Sequence, residues 1–419
     1  MIYLDNNATT VMSPETIAEM VSWCNRGNPS AGYASARESR AMMEWLRQYI
    51  GKICKFNPCC KEQRDINTNE QPQNDRAGGE YTVIFTSGAS EANCTILSGI
   101  INAYMELHGA VPHIIMSAIE HKSLLTMAES YESRGLANVS WIAPTRSGHI
   151  RPEDVAAAIT DTTCGIFVMH ANNETGAIND IHAIGEIAAR TRVHFHCDTV
   201  QSFGKHPVRV DQNHVDSFCI SFHKLGGPPG CGALIVRSCI VDQFVPLISG
   251  TQNSGYRGGT ENVPGLGASL HAISVCMRDR EAKNARVFAL KQYMMSQFAA
   301  VYYTDYTPRS TATVCFLGKP TQYYLGNTLL LAVIKRDEPY VCNTKIKEFL
   351  EARGIVVSVG SACNTASAKA SHVLYAMGAD QYIRKGAIRI SLGDLTTRDD
   401  IDKFVAAFRL AAAAQKVRV

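Results

Sequence analysis

The sequence predicts an α/β fold in which a mainly parallel sheet of seven strands is covered by helices, with a smaller α+β domain beside it. Helical patterns separate successive apolar, β-rich runs, and this alternation is typical of a doubly wound sheet. With 419 residues, 46% of them hydrophobic, the chain is long enough for more than one domain and a sizeable core. The β-rich runs lie at 81–88, 113–121, 139–144, 165–173, 193–198, 216–224 and 232–237.

Two of the intervening segments, 89–107 and 181–192, carry apolar residues at spacings of three and four, as amphipathic helices do. Doubly wound sheets bind their ligands beyond the carboxyl ends of the strands. Several polar residues fall at such ends, and we expect the functional site to form there. They are Ser87–Ser90, His121, Asn173, Asp198 and Lys224.

The character of the chain changes after "RGGTENVPG" at 257–265, where a long helical stretch begins. Shorter elements follow that stretch. We therefore predict a large domain at 15–260 and a small domain formed by 1–14 together with 261–419.

The segment 57–80 is polar, rich in Asn and Gln, and without periodicity. Such a segment indicates an exposed insertion or a disordered loop. It contains the pair Cys59–Cys60, with Cys54 nearby, and these thiols could bind a metal or be redox-active. No second ligand pair accompanies them, so the metal interpretation has little support.

Composition excludes several classes of function. The formal net charge is +3, from 41 basic and 38 acidic residues, and no dense Lys/Arg run occurs, so nucleic acid is a poor candidate partner. No apolar run reaches the length of about 18 residues that suggests a membrane span, and the character of "MIYLDNNATT" leads us to expect no secretory signal. The fourteen cysteines lack the regular framework of a secreted scaffold, which favours reduced thiols and a cytoplasmic location.

Three strand ends carry groups that suit the parts of a single cofactor. In "FTSGASEAN" (85–93) a strand ends, Gly88 permits a tight turn, and a helix begins whose free N–H groups could hold a phosphate. Asp198 could keep a pyridine nitrogen protonated, and Lys224 could condense with an aldehyde. Together these groups indicate pyridoxal phosphate. Each residue alone has an ordinary explanation, with Ser87 or Ser90 as a helix cap and the Asp and the Lys in surface ion pairs.

Histidines near these strand ends allow two interpretations. His121 closes a strand where an imidazole could lie over a planar cofactor and exchange protons near neutral pH, although an isolated histidine is more often structural. His194, His196 and Asp198 share one face of a strand, so a zinc site is an alternative. Only His223 offers itself as a further ligand, and we expect no metal.

A single cysteine, Cys363, stands in "SVGSACNTASAKASH" (358–372), among small polar residues that leave a loop room to move. Buried cysteines usually act as small hydrophobic residues. The polar neighbours favour a chemical role for this thiol instead.

The motifs resemble those of the NifS/IscS-like cysteine desulfurases, which are pyridoxal phosphate enzymes of the class V aminotransferase family. The resemblance implies the fold type I of pyridoxal phosphate-dependent transferases and covers nearly the whole chain outside 57–80. The motifs occur in the family's order: "YLDNNATT" (3–10), "GNPSAGYASAR" (27–37), "FTSGASEAN" (85–93), "IEHKS" (119–123), "MHANNETGAI" (169–178), "HCDTVQSFGK" (196–205), "SFHK" (221–224), "YRGGTENV" (256–263), "SVGSACNTAS" (358–367) and "IRISLGDLTT" (388–397).

The resemblance implies a role for each matching residue. Lys224 would form the Schiff base with the cofactor, Asp198 would pair with the pyridine nitrogen, and His121 would stack on the ring. Arg389 would clamp the substrate carboxylate, a task suited to a planar guanidinium. The remaining implied residues are Gln201 and Asn173 at the phenolic edge, Gly88, Ala89, Ser90, Ser221 and His223 at the phosphate, Thr260 at the phosphate of the partner subunit in a homodimer, and Asn173 and Asn7 beside the substrate.

Cys363 would then take sulfur from L-cysteine as a persulfide, leave L-alanine, and hand the sulfur to a scaffold or carrier protein for iron–sulfur cluster assembly or tRNA thiolation. Two alternatives remain open from sequence alone. A selenocysteine lyase would use the same fold and cofactor, because sulfur and selenium place nearly the same demands on a pocket. A protein that relays sulfur without turnover would keep the fold, and the altered stretch "SGTQNSGYRGG" (249–259) is compatible with it.

Overall fold

The computed structural model describes residues 1–56, 80–307, 309–359 and 371–419. Residues 57–79 of the predicted insertion lie outside the described residues, and so do Cys59, Cys60 and Cys363. The neighbouring Cys54 is described and is fully buried.

The strands of the described residues form three sheets. Their bounds are β1 (Ile2–Tyr3), β2 (Tyr81–Thr86), β3 (His113–Ser117), β4 (Asn138–Ile142), β5 (Thr163–Phe167), β6 (His194–Asp198), β7 (Ser217–Ser221), β8 (Gly232–Arg237), β9 (Ala300–Tyr302), β10 (Val314–Phe316), β11 (Thr328–Val333), β12 (Ile355–Val356) and β13 (Ala387–Ser391).

Several helices begin at residues that satisfy free N–H groups, such as Ser13, Asp180 and Thr397, whose side chains accept from the first turn of their helix. None of the helices in the described ranges is long and apolar enough to span a bilayer. Their bounds are α1 (Pro14–Trp23), α2 (Ala34–Cys54), α3 (Ala89–His108), α4 (Lys122–Ser133), α5 (Pro152–Ala157), α6 (Ile181–Thr191), α7 (Val210–Asn213), α8 (Ser238–Val241), α9 (Val263–Met277), α10 (Arg280–Ser296), α11 (Asn343–Glu351), α12 (His372–Ala376), α13 (Gln381–Gly386) and α14 (Arg398–Ala414).

The largest sheet has seven strands in the order β2-β8-β7-β6-β5-β3-β4. Neighbouring strands from β7 to β4 pair in parallel, whereas β8 is antiparallel to both β7 and β2. The predicted mainly parallel, seven-stranded sheet is therefore confirmed. Its strands coincide with the seven β-rich runs of the sequence.

Side chains of this sheet alternate between two cores, because successive residues of a strand point to opposite faces. On β3, Ile114 and Met116 join one core with Ile96 of α3, while Ile115 joins the other with Ile50 of α2. Full burial of each such side chain contributes about 1.5–3 kcal/mol. Helices on both faces thus fix the sheet and leave only its strand ends for ligands.

A second sheet has the strand order β13-β11-β10-β9 and packs against a separate core with α10, α11 and α14. Strand β1 pairs in parallel with β12, so the N-terminal residues lie with this part of the chain. From β1 the chain crosses to the large sheet, where Thr10 N donates to His223 O at 2.9 Å. The domain limits given above stay a prediction.

Candidate active site

A cavity of about 450 Å³ lies beyond the carboxyl ends of the parallel strands, where their loops meet the N-terminal segment and β13. This is the edge at which open α/β sheets bind ligands. Its lining residues are Asn7, Ala8, Ser87, Gly88, Ala89, Ser90, Glu91, His121, Met169, Asn173, Asp198, Val200, Gln201, Ser221, His223, Lys224, Pro229, Gly230 and Arg389.

Lys224 lies on a single 3₁₀ turn, Phe222–Leu225, directly after β7. Gly226 ends this turn at a φ of 82°, a left-handed conformation that glycine adopts without strain. The Nζ of Lys224 donates to the carbonyls of residues 7 and 8, at 2.7 Å from each. Burial and the nearby Arg389 guanidinium lower the pKa of Lys224 to about 8. More of this amine is therefore neutral and nucleophilic than in an exposed lysine.

Asp198 is the last residue of β6, and its side chain is buried. Oδ2 accepts from Nδ2 of Asn93 and Oδ1 accepts from the Val200 N–H, both at 2.9 Å. Because each oxygen has a donor, the carboxylate is held in one orientation beside the cavity. A cationic group in the cavity would meet a fixed acceptor.

His121 is the N-cap of α4 and stands at the mouth of the cavity. Its Nδ1 accepts from the Ser123 N–H at 3.2 Å, which places the hydrogen of the neutral imidazole on Nε2. The Oγ of Ser123 lies 2.8 Å from the same nitrogen. Although the ring is exposed to the cavity, the protein around it desolvates it and lowers its pKa, an effect that the Asp198 carboxylate opposes.

The N-terminus of α3 borders the cavity at Gly88–Ser90. Among the described residues, no side chain caps the free N–H groups of this helix. Gly232 of β8 lies directly behind the turn, since a Cβ there would stand 2.6 Å from the Cα of Gly88. Ser221 and His223 add a hydroxyl and an imidazole to the same wall, and burial lowers the pKa of His223 to about 4. This set of donors suits an anion such as a phosphate.

Asn7 connects the N-terminal segment to the cavity through its backbone and its side chain. Its carbonyl accepts from Gln201 Nε2 at 3.1 Å as well as from the lysine. Its Nδ2 donates to the carbonyl of Asn173 at 3.2 Å and to Thr328 Oγ1 at 2.8 Å. Asn7 and Asn173 thus form one side of the cavity.

Arg389, on β13, is almost fully buried and reaches the same wall. Its guanidinium donates to Asp5 Oδ1 at 2.7 Å and to the Asn173 carbonyl at 3.1 Å. These two bonds fix its plane, while Nε has no partner among the described residues. The group keeps N–H donors for a carboxylate, as a bidentate clamp requires.

The structure gathers the predicted cofactor and substrate residues around this one cavity, with two exceptions. Thr260 is exposed and does not line the cavity. Cys363 lies outside the described residues. Thr260 was predicted to serve the partner subunit, which a single chain does not test, and the roles of the gathered residues also stay predictions.

The histidines of the zinc alternative are occupied by other partners. His194 Nε2 and His196 Nδ1 both lie 2.8 Å from Ser217 Oγ, and His196 Nε2 lies 3.0 Å from Asn93 Oδ1. Within the described ranges, no group of three or more His, Cys, Asp or Glu side chains is placed to hold a metal.

Sequence reasoning missed three residues of the site. Asp5 holds Arg389, Glu91 accepts from the Ser87 N–H at 2.8 Å and from Arg257 at 2.9 Å, and Gly232 makes room for the turn at Gly88. Asp5 and Glu91 stand inside the family motifs, so their position was available as a signal. The sequence does not reveal the need for glycine at position 232, because that need arises from the close approach of Gly88, which is distant in the chain.

Comparison with known proteins gives one family. Residues 76–404 match the model of the family "Aminotransferase class-V". A relative from Methanosarcina thermophila named cysteine desulfurase IscS is 32% identical over 96% of this chain and 89% of its own length. A mitochondrial cysteine desulfurase from Eremothecium gossypii is 31% identical over 97% of this chain and 75% of its own.

Two solved structures are also similar to this chain over most of its length. A NifS-like protein from Rickettsia africae is 26% identical and superposes with a TM-score of 0.78, over 99% of both chains. A structure described as SspA in complex with cysteine is 28% identical with a TM-score of 0.72, over 95% of this chain and 100% of that one.

Proposed function

The chain belongs to the class-V aminotransferase family and, within it, to the cysteine desulfurases, and on this premise we propose that it converts L-cysteine to L-alanine and keeps the sulfur as a persulfide on Cys363. One observation carries the proposal. Lys224, Asp198, His121 and Arg389 come from four separate parts of the sequence and line a single cavity beside a free helix N-terminus. The family and the cavity thus point to the same chemistry.

Pyridoxal phosphate fits the groups around this cavity. The N-terminus of α3 and the Ser221 hydroxyl suit its phosphate, the Asp198 carboxylate suits its ring nitrogen, and the Lys224 amine suits its aldehyde. The space left by Gly232 lets the phosphate-binding turn lie against the sheet. The residues that would hold the cofactor are Gly88, Ala89, Ser90, His121, Asn173, Asp198, Gln201, Ser221, His223 and Lys224, with Thr260 of the second subunit.

When bound, this cofactor supplies an aldehyde that joins amines and a ring that withdraws electrons. Lys224 would then act as the base that takes the α-proton of the substrate onto Nζ. Its lowered pKa supports this task, because a base works best when its pKa lies near the working pH. The carbonyls of residues 7 and 8 keep the amine at the cavity edge.

Arg389 would hold the substrate carboxylate. Asp5 and the Asn173 carbonyl already fix its guanidinium, so less conformational entropy is lost when a carboxylate binds. Asn7 and Asn173 border this position and orient the rest of the substrate. His121 would lie against the cofactor ring and present its Nε2–H to the cavity.

Cys363 would receive the sulfur. Its thiolate attacks the sulfur of the substrate, the substrate C–S bond breaks, and a new S–S bond leaves a persulfide on the enzyme. The carbon that loses sulfur takes up a proton, so L-alanine is the second product. We further propose a homodimer and the transfer of this sulfur to a scaffold or carrier protein for iron–sulfur cluster assembly or tRNA thiolation.

The test measures alanine and persulfide from L-cysteine for the natural protein, for Cys363→Ala and for the control Cys24→Ala, which removes an exposed cysteine. We expect Cys363→Ala to bind pyridoxal phosphate but form no persulfide, and Cys24→Ala to behave as the natural protein. Persulfide from Cys363→Ala at the natural rate would mean that another thiol is the acceptor.

A second substrate defines the reaction more closely. We expect alanine release from L-cysteine to be at least comparable with that from L-selenocysteine. A large excess of the selenocysteine rate would make the protein a selenocysteine lyase. A protein that stays colourless with pyridoxal phosphate and releases no alanine would instead be a relay without turnover.

A further inference from the structure

Asn93, on the buried side of α3, has every hydrogen-bonding position of its side chain occupied. Its Oδ1 lies 3.0 Å from His196 Nε2 and 3.0 Å from Cys219 Sγ. Its Nδ2 donates to Asp198 Oδ2 at 2.9 Å and to Ser123 Oγ at 3.1 Å. A side-chain amide has two donors and two acceptor positions, and all four are used here.

These partners fix which way the amide points. Asp198 can only accept, so it must face Nδ2. With the amide reversed, the oxygen of Asn93 would face a carboxylate oxygen, and a buried pair of acceptors without a hydrogen between them is costly. The observed orientation is therefore the one that satisfies the carboxylate.

The same reasoning fixes the hydrogens on His196. Since Asn93 Oδ1 accepts, Nε2 of His196 must carry a hydrogen. The ring is fully buried, where a neutral imidazole is favoured, so Nδ1 is an acceptor and takes a hydrogen bond from Ser217 Oγ. The Ser217 hydroxyl in turn accepts from His194 Nε2. The chain of hydrogen bonds thus runs from His194 through Ser217, His196 and Asn93, and each group donates to the next one towards Asp198.

A second branch from Asn93 ends at His121. Ser123 Oγ accepts from Nδ2 of Asn93, so its own hydrogen is available to the Nδ1 of His121, 2.8 Å away. The Ser123 N–H donates to that nitrogen as well. Asn93 thus acts on two groups of the cavity that lie on different elements.

We propose that Asn93 is a positioning residue that, held at its Oδ1 by His196, holds the Asp198 carboxylate as an acceptor towards the cofactor ring nitrogen and fixes the Nε2–H form of His121. The proposal rests on the proposed function for the identity of the cofactor. It gives the His-x-His-x-Asp pattern a purpose other than metal binding. His196 and Asn93 do not line the cavity and would act through Asp198 and His121.

The first experiment reads the ring nitrogen directly, by 15N NMR of the protein loaded with ¹⁵N-labelled pyridoxal phosphate. Asn93→Asp keeps the side-chain shape but replaces both donors by acceptors, and His196→Leu removes the donor that holds Oδ1 of the amide in place. We expect both variants to move the ring nitrogen towards its unprotonated signal and to lower kcat for alanine formation about tenfold or more, with less effect on KM.

The matched variant His196→Gln keeps an amide donor near the Nε2 position. This variant should show the natural ring-nitrogen signal and a kcat within about threefold of the natural value, because its amide can still donate a hydrogen bond to Asn93 Oδ1. His182→Gln, at an exposed histidine, controls for the substitution itself. Folded His196→Leu and Asn93→Asp proteins with natural signals and natural kcat would overturn the proposal.

The second experiment uses the natural protein and needs no variant to fold. In 15N-histidine NMR spectra at neutral pH, His196 and His121 should both be neutral with the hydrogen on Nε2. A hydrogen on Nδ1 of His196 would overturn the proposal, even if the protein neither binds pyridoxal phosphate nor releases alanine. Failure of the proposed function and failure of this network are therefore distinguishable.

Discussion

Two of the lysines with a lowered pKa, the half-buried Lys224 and the buried Lys291, lie in different regions of the protein. Lys224 stands at the cavity of the seven-stranded sheet, with Arg389, Asp5 and Asp198 among the charges that act on it. Lys291 of α10 lies in the core beside the four-stranded sheet, 1% exposed, with its Nζ bonded to the Leu325 carbonyl at 2.9 Å. Burial lowers the pKa of Lys291 to about 7, and that of Lys224 to about 8.

The comparison shows that a lowered lysine pKa does not by itself mark a functional site. Desolvation alone accounts for the lowered pKa of Lys291, whose Nζ donates to one backbone carbonyl. Lys224 is less strongly shifted, yet it faces a space large enough for a ligand and opposes charged groups of both signs. Perturbed lysines are therefore useful indicators only when a cavity and partners accompany them.

The largest effect on activity is expected for the lysine at the cavity. Lys224→Ala should lower alanine formation from L-cysteine by roughly 10²–10⁴-fold, because the base for the α-proton is lost. Lys291→Met should stay within about threefold of the natural rate, since that amine faces no cavity. Steady-state assays of both proteins, loaded with pyridoxal phosphate, make the measurement, and a Lys224→Ala protein of natural activity would refute the assignment.

A smaller effect is expected at the charge that faces Lys224. In Arg389→Lys, a single ammonium cannot keep the bonds to Asp5 and to the Asn173 carbonyl while also forming a fork with a carboxylate. We expect kcat/KM for L-cysteine to fall roughly 10–100-fold, mainly through KM. An unchanged KM would place the substrate carboxylate elsewhere.

The wall of the cavity should tolerate less change than an open position elsewhere. Gly232→Ala puts a methyl group 2.6 Å from the Cα of Gly88 and 2.8 Å from the Ile220 carbonyl, so the backbone must shift. We expect pyridoxal phosphate to bind about tenfold more weakly and the fold to lose about 1–3 kcal/mol. Gly32→Ala, with no atom within 4 Å of the added carbon, is the control in the same titration. If Gly232→Ala and Gly32→Ala bound pyridoxal phosphate equally well, the close contact between Gly232 and Gly88 would have no role in cofactor binding.

The smallest effect concerns the interior lysine and is one of stability. The unfolded chain keeps the proton of Lys291 up to its ordinary pKa of 10.5, whereas the folded protein loses it near 7. The unfolded state therefore binds more protons between these values, and the free energy of unfolding rises with pH across that range. Lys291→Met should remove this rise and add about 1–3 kcal/mol near pH 7.

Urea unfolding at a series of pH values checks this prediction. Lys403→Met, at an exposed helix position, provides the control, because its amine should contribute little. If the natural protein and Lys291→Met show the same pH slope, the interior amine keeps its proton in the folded state, and burial alone does not explain the difference between the two regions.

The sequence was sufficient for the strands and their ends. Apolar, β-branched runs between turn residues mark the strands, and a parallel sheet brings their carboxyl ends to one edge, so the pattern alone places Asp198 and Lys224 together. The order of the strands was not predictable, because β8, which directly follows β7 in the chain, also pairs with the distant β2. The close approach of Gly232 to Gly88 depends on that order.

The surroundings of the buried residues were harder to predict from the sequence than the strands were. The pattern placed His194, His196 and Asp198 on one face, which was right, but their partners Ser217 and Asn93 stand on other elements, so hydrogen bonding and zinc binding looked alike. Lys291 shares one face of its helix with the buried Val287 and Met294, and only its charge suggested that it would lie in solvent. Tertiary packing, which a local pattern does not contain, decided both cases.

The ion pair between Asp5 and Arg389 joins residues 384 positions apart in the chain, and the strand pairing of Ile2 with Ile355 spans a similar interval. During translation, residues near 5 leave the ribosome long before residues near 389 are made. One wall of the cavity therefore has no partner until synthesis is nearly finished, and the proposed cofactor would be captured in its final geometry only after that. A nascent chain stalled before β13 would bind the cofactor weakly, however well its seven-stranded sheet had already formed.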